Sequence, residues 1–292
     1  MENEVRAEKT GWWKSFLSSE FFFHYKHNIP AIIGSILVLI AILTAVVGRF
    51  LAPQNPYDLT QINLSDSYLP PFWLDGGKMS FLLGTDEQGR DILSAIIYGS
   101  ASSIMIGLVG MAASCCIGTT LGLIAGYFGG KVDLIMMRIV DIVYSLPDML
   151  IIILLSVVFQ ERLKPLIEGT MFEKLGTNMI SMFIVFGLLY WVSMARLIRG
   201  QILTIKNNEY VLAARCIGTR NSRILTRHIL PNCLSVIIIT TALQVPSAIF
   251  TESYLSFLGL GVSAPLTSLG SLANDARSAM QSYPYRLVIP AV

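Results

Sequence analysis

Four long uncharged runs constrain this chain more than any other feature. They cover residues 30–48, 98–130, 177–195 and 229–251, and they contain 19, 33, 19 and 23 residues respectively. A helix of about 20 apolar residues crosses the roughly 30 Å hydrocarbon core of a bilayer. Inside a bilayer the backbone must satisfy its own hydrogen bonds, and long helices do so. The pattern therefore predicts an all-α integral membrane protein, and the charged fraction of only 14% agrees.

Residues 132–159 form a further apolar stretch, and this one carries charges. We expect a single span that is kinked at Pro147. Arg138 and Asp141 are three positions apart, so they share a helix face and are expected to pair. Asp148 lies deeper, where an ionisable group is costly and usually faces a cavity or a partner. Asp148 therefore either lines a translocation path or begins a helix after Pro147.

The run that starts at residue 229 extends to about residue 257, with a kink expected at Pro246. Glu252 is its one charged residue. Glu252 either faces a pore or ends the helix at the membrane interface. In the run at 98–130, glycine and other small residues recur, which favours close packing against neighbouring helices. We expect that run to end in a short turn at residues 126–131.

A basic segment lies between the runs 177–195 and 229–251. From Arg196 to Arg227 it contains seven Lys or Arg residues and one acid, Glu209. Short loops that are rich in Lys and Arg stay on the cytoplasmic side. This segment is therefore predicted to face the cytoplasm, held at both ends by membrane helices.

The interior of the basic segment predicts a short helix. Asn207 or Asn208 can cap its start by accepting a bond from a free backbone N–H. Gly218 can end it in a left-handed conformation. Ala213 and Ala214 are small, so another surface can come close. Such a helix suits docking to a partner, although the segment could also serve only to fix the topology.

The flanking segments agree with this topology. Residues 1–29 combine aromatic and basic side chains, which predicts an interfacial helix on the cytoplasmic face. Residues 49–97 contain three Lys or Arg against six Asp or Glu, which suits the outside of the membrane. Within that outer segment, Thr85 or Asp86 is expected to cap a helix that starts near Glu87.

The chain lacks the sequence signatures of catalysis. It contains no GxxxxGK[ST] phosphate loop, no HExxH, no GxSxG and no CxxC. We therefore assign no catalytic residue, no cofactor and no metal ligand, and predict that the chain is not an enzyme. A transporter of this kind takes its energy either from a partner subunit or from an ion gradient, as secondary transporters do.

Three stretches resemble one protein family. Ala213-Ala214, Gly218 and His228–Pro231 resemble the "EAA" loop of permease subunits of bacterial ABC importers, although Leu212 stands where many members have Glu. Leu83–Asp91 and Phe257–Gly261 resemble segments of the peptide and nickel branch of these permeases, in its "C"-type subunit.

This resemblance implies a fold and a function. The fold would be that of a MetI-like type I importer permease with six transmembrane helices, the sixth cut off at residue 292. The function would be to form the pore through which peptides cross the bacterial cytoplasmic membrane, with the N-terminus in the cytoplasm. Nickel or another small solute is the alternative cargo, and a gradient-driven secondary transporter is the alternative class. The implied partners are a homologous second permease, two ABC ATPase subunits, an extracytoplasmic peptide-binding protein and the lipid bilayer, with no nucleic acid.

The predicted organisation follows from the runs and the resemblance together. It comprises an interfacial segment 1–29, a first transmembrane helix 30–51, an extracytoplasmic loop 52–97 and a permease core 98–292, with spans at about 98–127, 132–159, 177–202, 229–257 and 287 onward, and a coupling loop at 203–228. The residues assigned to coupling with the ATPase are Glu209, Tyr210, Ala213, Ala214, Arg215, Gly218 and Pro231. Asp148 and Glu252 are the candidates for the translocation path.

Overall fold

The computed structural model describes residues 25–58, 60, 62–262 and 266–291. Most of the interfacial segment predicted at residues 1–29 therefore lies outside the described residues. In chain order the α-helices are α1 (Ile29–Leu51), α2 (Ile92–Phe128), α3 (Gly130–Tyr144), α4 (Asp148–Ile167), α5 (Thr177–Leu189), α6 (Trp191–Ile205), α7 (Glu209–Cys216), α8 (Asn221–Ile224), α9 (Leu230–Phe257), α10 (Leu269–Arg277) and α11 (Tyr285–Ala291).

The helices that are long and apolar enough to cross a membrane match the uncharged runs. Within the described part of the chain they are Ile29–Gly48, Ile92–Phe128, Thr177–Ile205 and Asn221–Phe257. The pair α3 and α4 adds a fifth if it counts as one span. The all-α membrane fold expected from the sequence is confirmed.

The third predicted span is broken instead of kinked. α3 ends at Tyr144, α4 begins at Asp148, and the two axes differ by 88°. Pro147 holds the position before α4 with an extended backbone. A proline disfavours the helical conformation at the residue before it, here Leu146, so the helix stops and restarts in a new direction.

α2 is the central helix of the bundle, and it packs most extensively along α6. Glycines at four-residue intervals face α6, because a Cβ at Gly118 would lie 2.6 Å from Cβ of Met194, and one at Gly122 would lie 2.7 Å from the carbonyl oxygen of Ala195. The close packing predicted from the small residues is confirmed. The predicted turn at 126–131 shortens to a junction at Gly129, since α2 continues through Phe128 and α3 begins at Gly130.

The start of α2 was predicted wrongly. α2 begins at Ile92, and Asp91 caps it by accepting a 2.9 Å hydrogen bond from the backbone N–H of Ser94. Asp86 instead accepts bonds from Arg90, at 2.9 Å from its backbone N–H and 2.6 Å from its Nε. Because Asp86 is used to close this turn, the predicted helix at Glu87 does not form.

The last long helix is continuous from Asn221 to Phe257, but its winding changes near the start. α8 passes into a π-helical turn at Leu225–Ile229, which leads directly into α9. Pro231 sits in the first turn of α9. Proline has no N–H to donate and its ring crowds the preceding turn, which accounts for the wider winding there.

Candidate coupling helix and translocation cavity

The short helix predicted in the basic segment is α7. Asn208 occupies the capping position, yet its side chain makes no capping bond, and the amide of Asn207 donates to Leu203 at 3.3 Å. The predicted position of the cap is right, and the predicted side-chain bond is absent. Glu209 lies in the first turn, where the helix dipole favours an acid.

α7 ends as the sequence predicts. Gly218 has φ of +77°, in the left-handed region. Its backbone N–H donates to the carbonyl of Arg215 at 2.9 Å, and the N–H of Thr219 donates to the carbonyl of Ala214 at 3.1 Å. These two bonds form the Schellman pattern, which satisfies carbonyl groups that the helix end would otherwise leave free.

α7 has an inner and an outer face. Val211 and Ala214 are buried in the core that α6 and α9 share. Ala213 is exposed, as are the three large apolar residues Tyr210, Leu212 and Ile217. The two alanines predicted to serve docking together therefore point to different sides: Ala214 lets α7 approach its own core, and Ala213 remains on the outer face.

Three contacts attach this segment to the end of α2. The guanidinium of Arg215 lies 4.9 Å from the centre of the Tyr127 ring. The hydroxyl of Tyr127 donates to Oδ1 of Asn221 at 2.8 Å. Nζ of Lys206 donates to the carbonyl of Gly126 at 2.9 Å. Lys206 and Arg215 are two of the basic residues from which the cytoplasmic position was predicted, and they also fix α7 onto the bundle.

A cavity of about 430 Å³ opens at the break between α3 and α4. Its wall comes from both sides of that break, from the junction of α5 with α6, and from the middle of α9. The lining residues include Tyr144, Asp148, Tyr190, Ser193 and Gln244. The cavity therefore lies where two interrupted helices meet a continuous one.

Asp148 begins a helix, which is one of the alternatives that its sequence position left open, and it also lines the cavity. It is the first residue of α4, directly after Pro147, and its exposed side chain lines the cavity. Its carboxylate forms no hydrogen bond or ion pair with the other residues that the structure describes. The charged carboxylate of Asp148 in the cavity wall is therefore available to a ligand.

Glu252 does neither of the things expected of it. Its side chain is fully buried, and it lines neither the cavity nor an exposed helix end. The hydroxyls of Ser103 on α2 and Ser256 on α9 each donate to its carboxylate at 2.7 Å. The carboxylate joins two helices because hydroxyl donors from both reach it.

The predicted pairing of Arg138 with Asp141 is also wrong. Asp141 accepts a 2.7 Å bond from Arg196 of α6, whose guanidinium lies 3.9 Å from the centre of the Tyr144 ring. Asp133 accepts a bond of 2.6 Å from Arg199, one turn further along α6. Both acids of α3 therefore serve to attach it to α6, because the basic residues of α6 face them.

Sequence reasoning missed several residues of these sites. Tyr190 interrupts the helix between α5 and α6, and its hydroxyl lies 2.8 Å from Oγ1 of Thr251. Gln244 has an enclosed Oε1 with no hydrogen-bond partner in the described residues. The signal for Gln244 was available, since it is a large polar side chain in the middle of an uncharged run. No pattern in the neighbouring sequence indicates the contacts that Tyr190 and Tyr127 make.

Comparison with known proteins gives a consistent result. Residues 118–288 match the family model described as binding-protein-dependent transport system inner membrane component. Residues 15–71 match the N-terminal transmembrane domain of oligopeptide transport permease C.

Three relatives illustrate the likeness. The chain is 38% identical to the oligopeptide transport system permease protein OppC of Bacillus subtilis (strain 168), over 99% of this chain and 87% of that protein. It is 39% identical to the dipeptide transport system permease protein DppC of the same organism, over 91% of this chain and 76% of that protein. It is 37% identical to OppC of Escherichia coli (strain K12), over 91% of this chain and 81% of that protein.

Proposed function

Because this chain belongs to the family of binding-protein-dependent transport system inner membrane components, we propose that it passes peptides across the cytoplasmic membrane, driven by ATPase subunits that bind α7. The chain is a pore-forming permease subunit of an importer and not a catalytic enzyme. The cargo follows from the relatives, whose names specify oligopeptides and dipeptides.

One observation supports α7 as the docking site for the ATPase. The inner face of α7 is fixed by Val211 and Ala214, while Tyr210 and Leu212 on its outer face, and Ile217 directly after it, are exposed. Exposed apolar side chains on a short, firmly anchored helix are typical of an interface. The surrounding Lys and Arg residues favour the cytoplasmic side, where ATP is available, so the partner that covers this face is the ATPase.

The helices on either side of α7 connect it to the cavity. α6 leads into α7 and contributes Ser193 and Leu197 to the cavity wall. The helix that follows α7 is continuous into α9, which contributes Gln244 and Ser247. A displacement of α7 by ATP-driven closure of its partner therefore moves two walls of the cavity together, which provides alternating access.

The remaining partners complete the path. A homologous second permease completes the wall of the cavity in our proposal. An extracytoplasmic binding protein delivers the peptide at the end of the bundle that carries residues 52–91. In this orientation the N-terminus lies in the cytoplasm, as the basic residues before α1 favour.

The docking proposal is tested by enlarging the outer face of α7. Ala213→Trp in the complete complex should release the ATPase during purification and abolish peptide uptake, with the permease still inserted. Ala41→Trp is the matched control, because Ala41 is an exposed alanine on α1, and it should retain both. Ala214→Trp should instead lower the yield of folded permease, since Ala214 is buried. Retention of the ATPase by Ala213→Trp, or uptake by the chain without any ATPase, would overturn the proposal.

The coupling step is tested at the end of α7. Gly218→Val places a β-branched residue at a positive φ, which distorts the helix end without a steric clash, since no described residue lies within 4 Å of the added Cβ. We expect the complex to assemble and bind ATP but to lose peptide uptake. Gly218→Asn tolerates the left-handed conformation and should transport normally. Equal uptake by both variants would remove Gly218 from the coupling path.

A further inference from the structure

Among the described residues, the cavity wall carries one charge, Asp148, and is otherwise apolar or neutral. We propose that Asp148 forms a subsite for the ammonium group of a peptide, so that this permease chain itself selects substrates with a free amino terminus. The proposal rests on the proposed function, because it requires the cavity to be part of the peptide's path. It adds to that function a chemical criterion located in the membrane subunit.

The sign of the charge at the wall follows from its neighbours. None of the Lys and Arg residues that the structure describes lines the cavity. Arg196 lies against Tyr144 at the edge of the wall, but Asp141 already pairs with it at 2.7 Å. The start of α4 contributes a partial positive charge of roughly half a unit. The full negative charge of Asp148 exceeds this, so the wall attracts a cation.

The polar groups of the wall fit an ammonium group in particular. An ammonium group donates three hydrogen bonds and accepts none. Asp148 offers exposed carboxylate oxygens, and the side chain of Gln244 belongs to the same wall. The hydroxyl groups of Ser193 and Ser247 lie in the same wall. These acceptors suit a small donor-rich cation.

The rest of the lining explains why the end of the peptide, and not one particular side chain, is the group recognised. Ile151, Ile152, Leu189 and Leu243 give the wall an apolar surface without directional bonds. Such a surface tolerates many side chains, whereas the ammonium group is common to every unmodified peptide. A cavity of about 430 Å³ is within the range of small-molecule sites, roughly 300–1,000 Å³.

The first test is uptake by the complete complex in proteoliposomes at a peptide concentration well below saturation. Trialanine and N-acetyl-trialanine differ only in the amino-terminal charge. Asp148→Asn should lower uptake of trialanine about tenfold, the effect of losing one hydrogen bond to a charged group, and leave uptake of the acetylated peptide unchanged. Asp148→Glu should restore the preference. Asp66→Asn is the matched control, since Asp66 lies outside the cavity and pairs with Lys78.

The outcomes separate this inference from the proposed function. Ser193→Trp fills the cavity, and normal uptake of both peptides by that variant would take the cavity off the path and overturn both proposals. If Ser193→Trp blocks uptake but Asp148→Asn affects both peptides equally or not at all, only the ammonium subsite is overturned. A third peptide, acetylated and ending in lysine, distinguishes the two sources of ammonium. A loss for that peptide equal to the loss for trialanine would overturn selection of the amino terminus.

A second measurement does not depend on delivery by the binding protein. Ser193→Cys is introduced after Cys115, Cys116, Cys216 and Cys233 are replaced by alanine. The rates at which a cationic and an anionic methanethiosulfonate reagent label the introduced thiol report the local charge. Asp148→Asn should reduce the ratio of cationic to anionic labelling about tenfold, as expected for removal of one nearby charge. An unchanged ratio would overturn the subsite.

Discussion

The two groups of helices that enclose the cavity are held in different ways. α2 and α6 meet backbone to backbone through glycines such as Gly122, and Glu252 joins α9 to α2. In α3, by contrast, the buried residue is Val140, and α4 buries Ile152, Ser156 and Ile167. One wall of the cavity is therefore a rigid scaffold and the other is a lightly attached arm. The arm carries the break, so movement there costs the least packing.

The two acidic residues singled out in the sequence make the same contrast. Glu252 is fully buried in the scaffold and bonded to hydroxyl groups of two helices. Asp148 is exposed at the start of the arm and bonded to no other described residue. A carboxylate whose hydrogen-bond partners lie within the protein stabilises the fold. A carboxylate without such partners is available to bind a ligand. The same chemical group thus has two roles because its surroundings differ.

The largest expected effect breaks the scaffold. In Gly122→Leu the new side chain meets the carbonyl oxygen of Ala195 at 2.7 Å, so α2 and α6 must separate. We expect a loss of about 3 kcal/mol or more in the free energy of unfolding, seen as loss of the monodisperse peak after mild heating in detergent. Gly200→Leu is the control, because no residue in the described part of the chain lies within 4 Å of its Cβ position. Equal damage by the two variants would contradict the packing role of the α2 glycines.

The next effect separates the two carboxylates. Glu252→Leu leaves the hydroxyls of Ser103 and Ser256 without their acceptor and should cost roughly 1–2 kcal/mol. Glu252→Gln keeps an acceptor and should cost less. Asp148→Leu should leave the thermal unfolding temperature nearly unchanged, because Asp148 bonds to no described residue. A larger loss from Asp148→Leu than from Glu252→Leu would reverse the comparison.

A smaller effect loosens the arm. Arg196→Gln removes the bond to Asp141 and the contact with the Tyr144 ring. The ion pair is about half exposed, so we expect a change of only about 0.2–1 kcal/mol. A double-mutant cycle with Asp141→Asn, followed by thermal unfolding at low and high salt, isolates the pair. Strict additivity of the two substitutions would mean that the ion pair does not attach the arm.

The smallest effect concerns the end of the bundle that carries residues 52–91. Burial raises the pKa of Asp275, while Arg90, 3.7 Å away, lowers it. The net shift is upward, so the folded state binds this proton more tightly than the unfolded state, whose pKa is about 3.9. Its contribution to stability is present at low pH and is lost as the pH rises through the raised pKa. Asp275→Asn should flatten the pH dependence of unfolding in that window, and Asp75→Asn, at an exposed position, should not.

Local patterns were sufficient for part of this architecture. The uncharged runs predicted the spans, and the Asn-to-Gly interval predicted both ends of α7, because each depends on residues within a few positions. The partners of Asp141 and Glu252 lie 55 and 149 positions away. Such pairings are fixed by how helices face one another, so neighbouring residues do not reveal them. The same holds for the division of Ala213 and Ala214 between two faces.

The π-helical turn at Leu225–Ile229 has a consequence for everything after it. A π turn accommodates one more residue than an α turn, and each residue of an α-helix advances the direction of its side chain by about 100°. The extra residue thus sets the rotational phase of α9 relative to α8. With that phase, Asn221 reaches Tyr127 while Gln244 reaches the cavity and Glu252 reaches Ser103. The extra residue in the π turn therefore keeps three separate contacts aligned along one continuous helix.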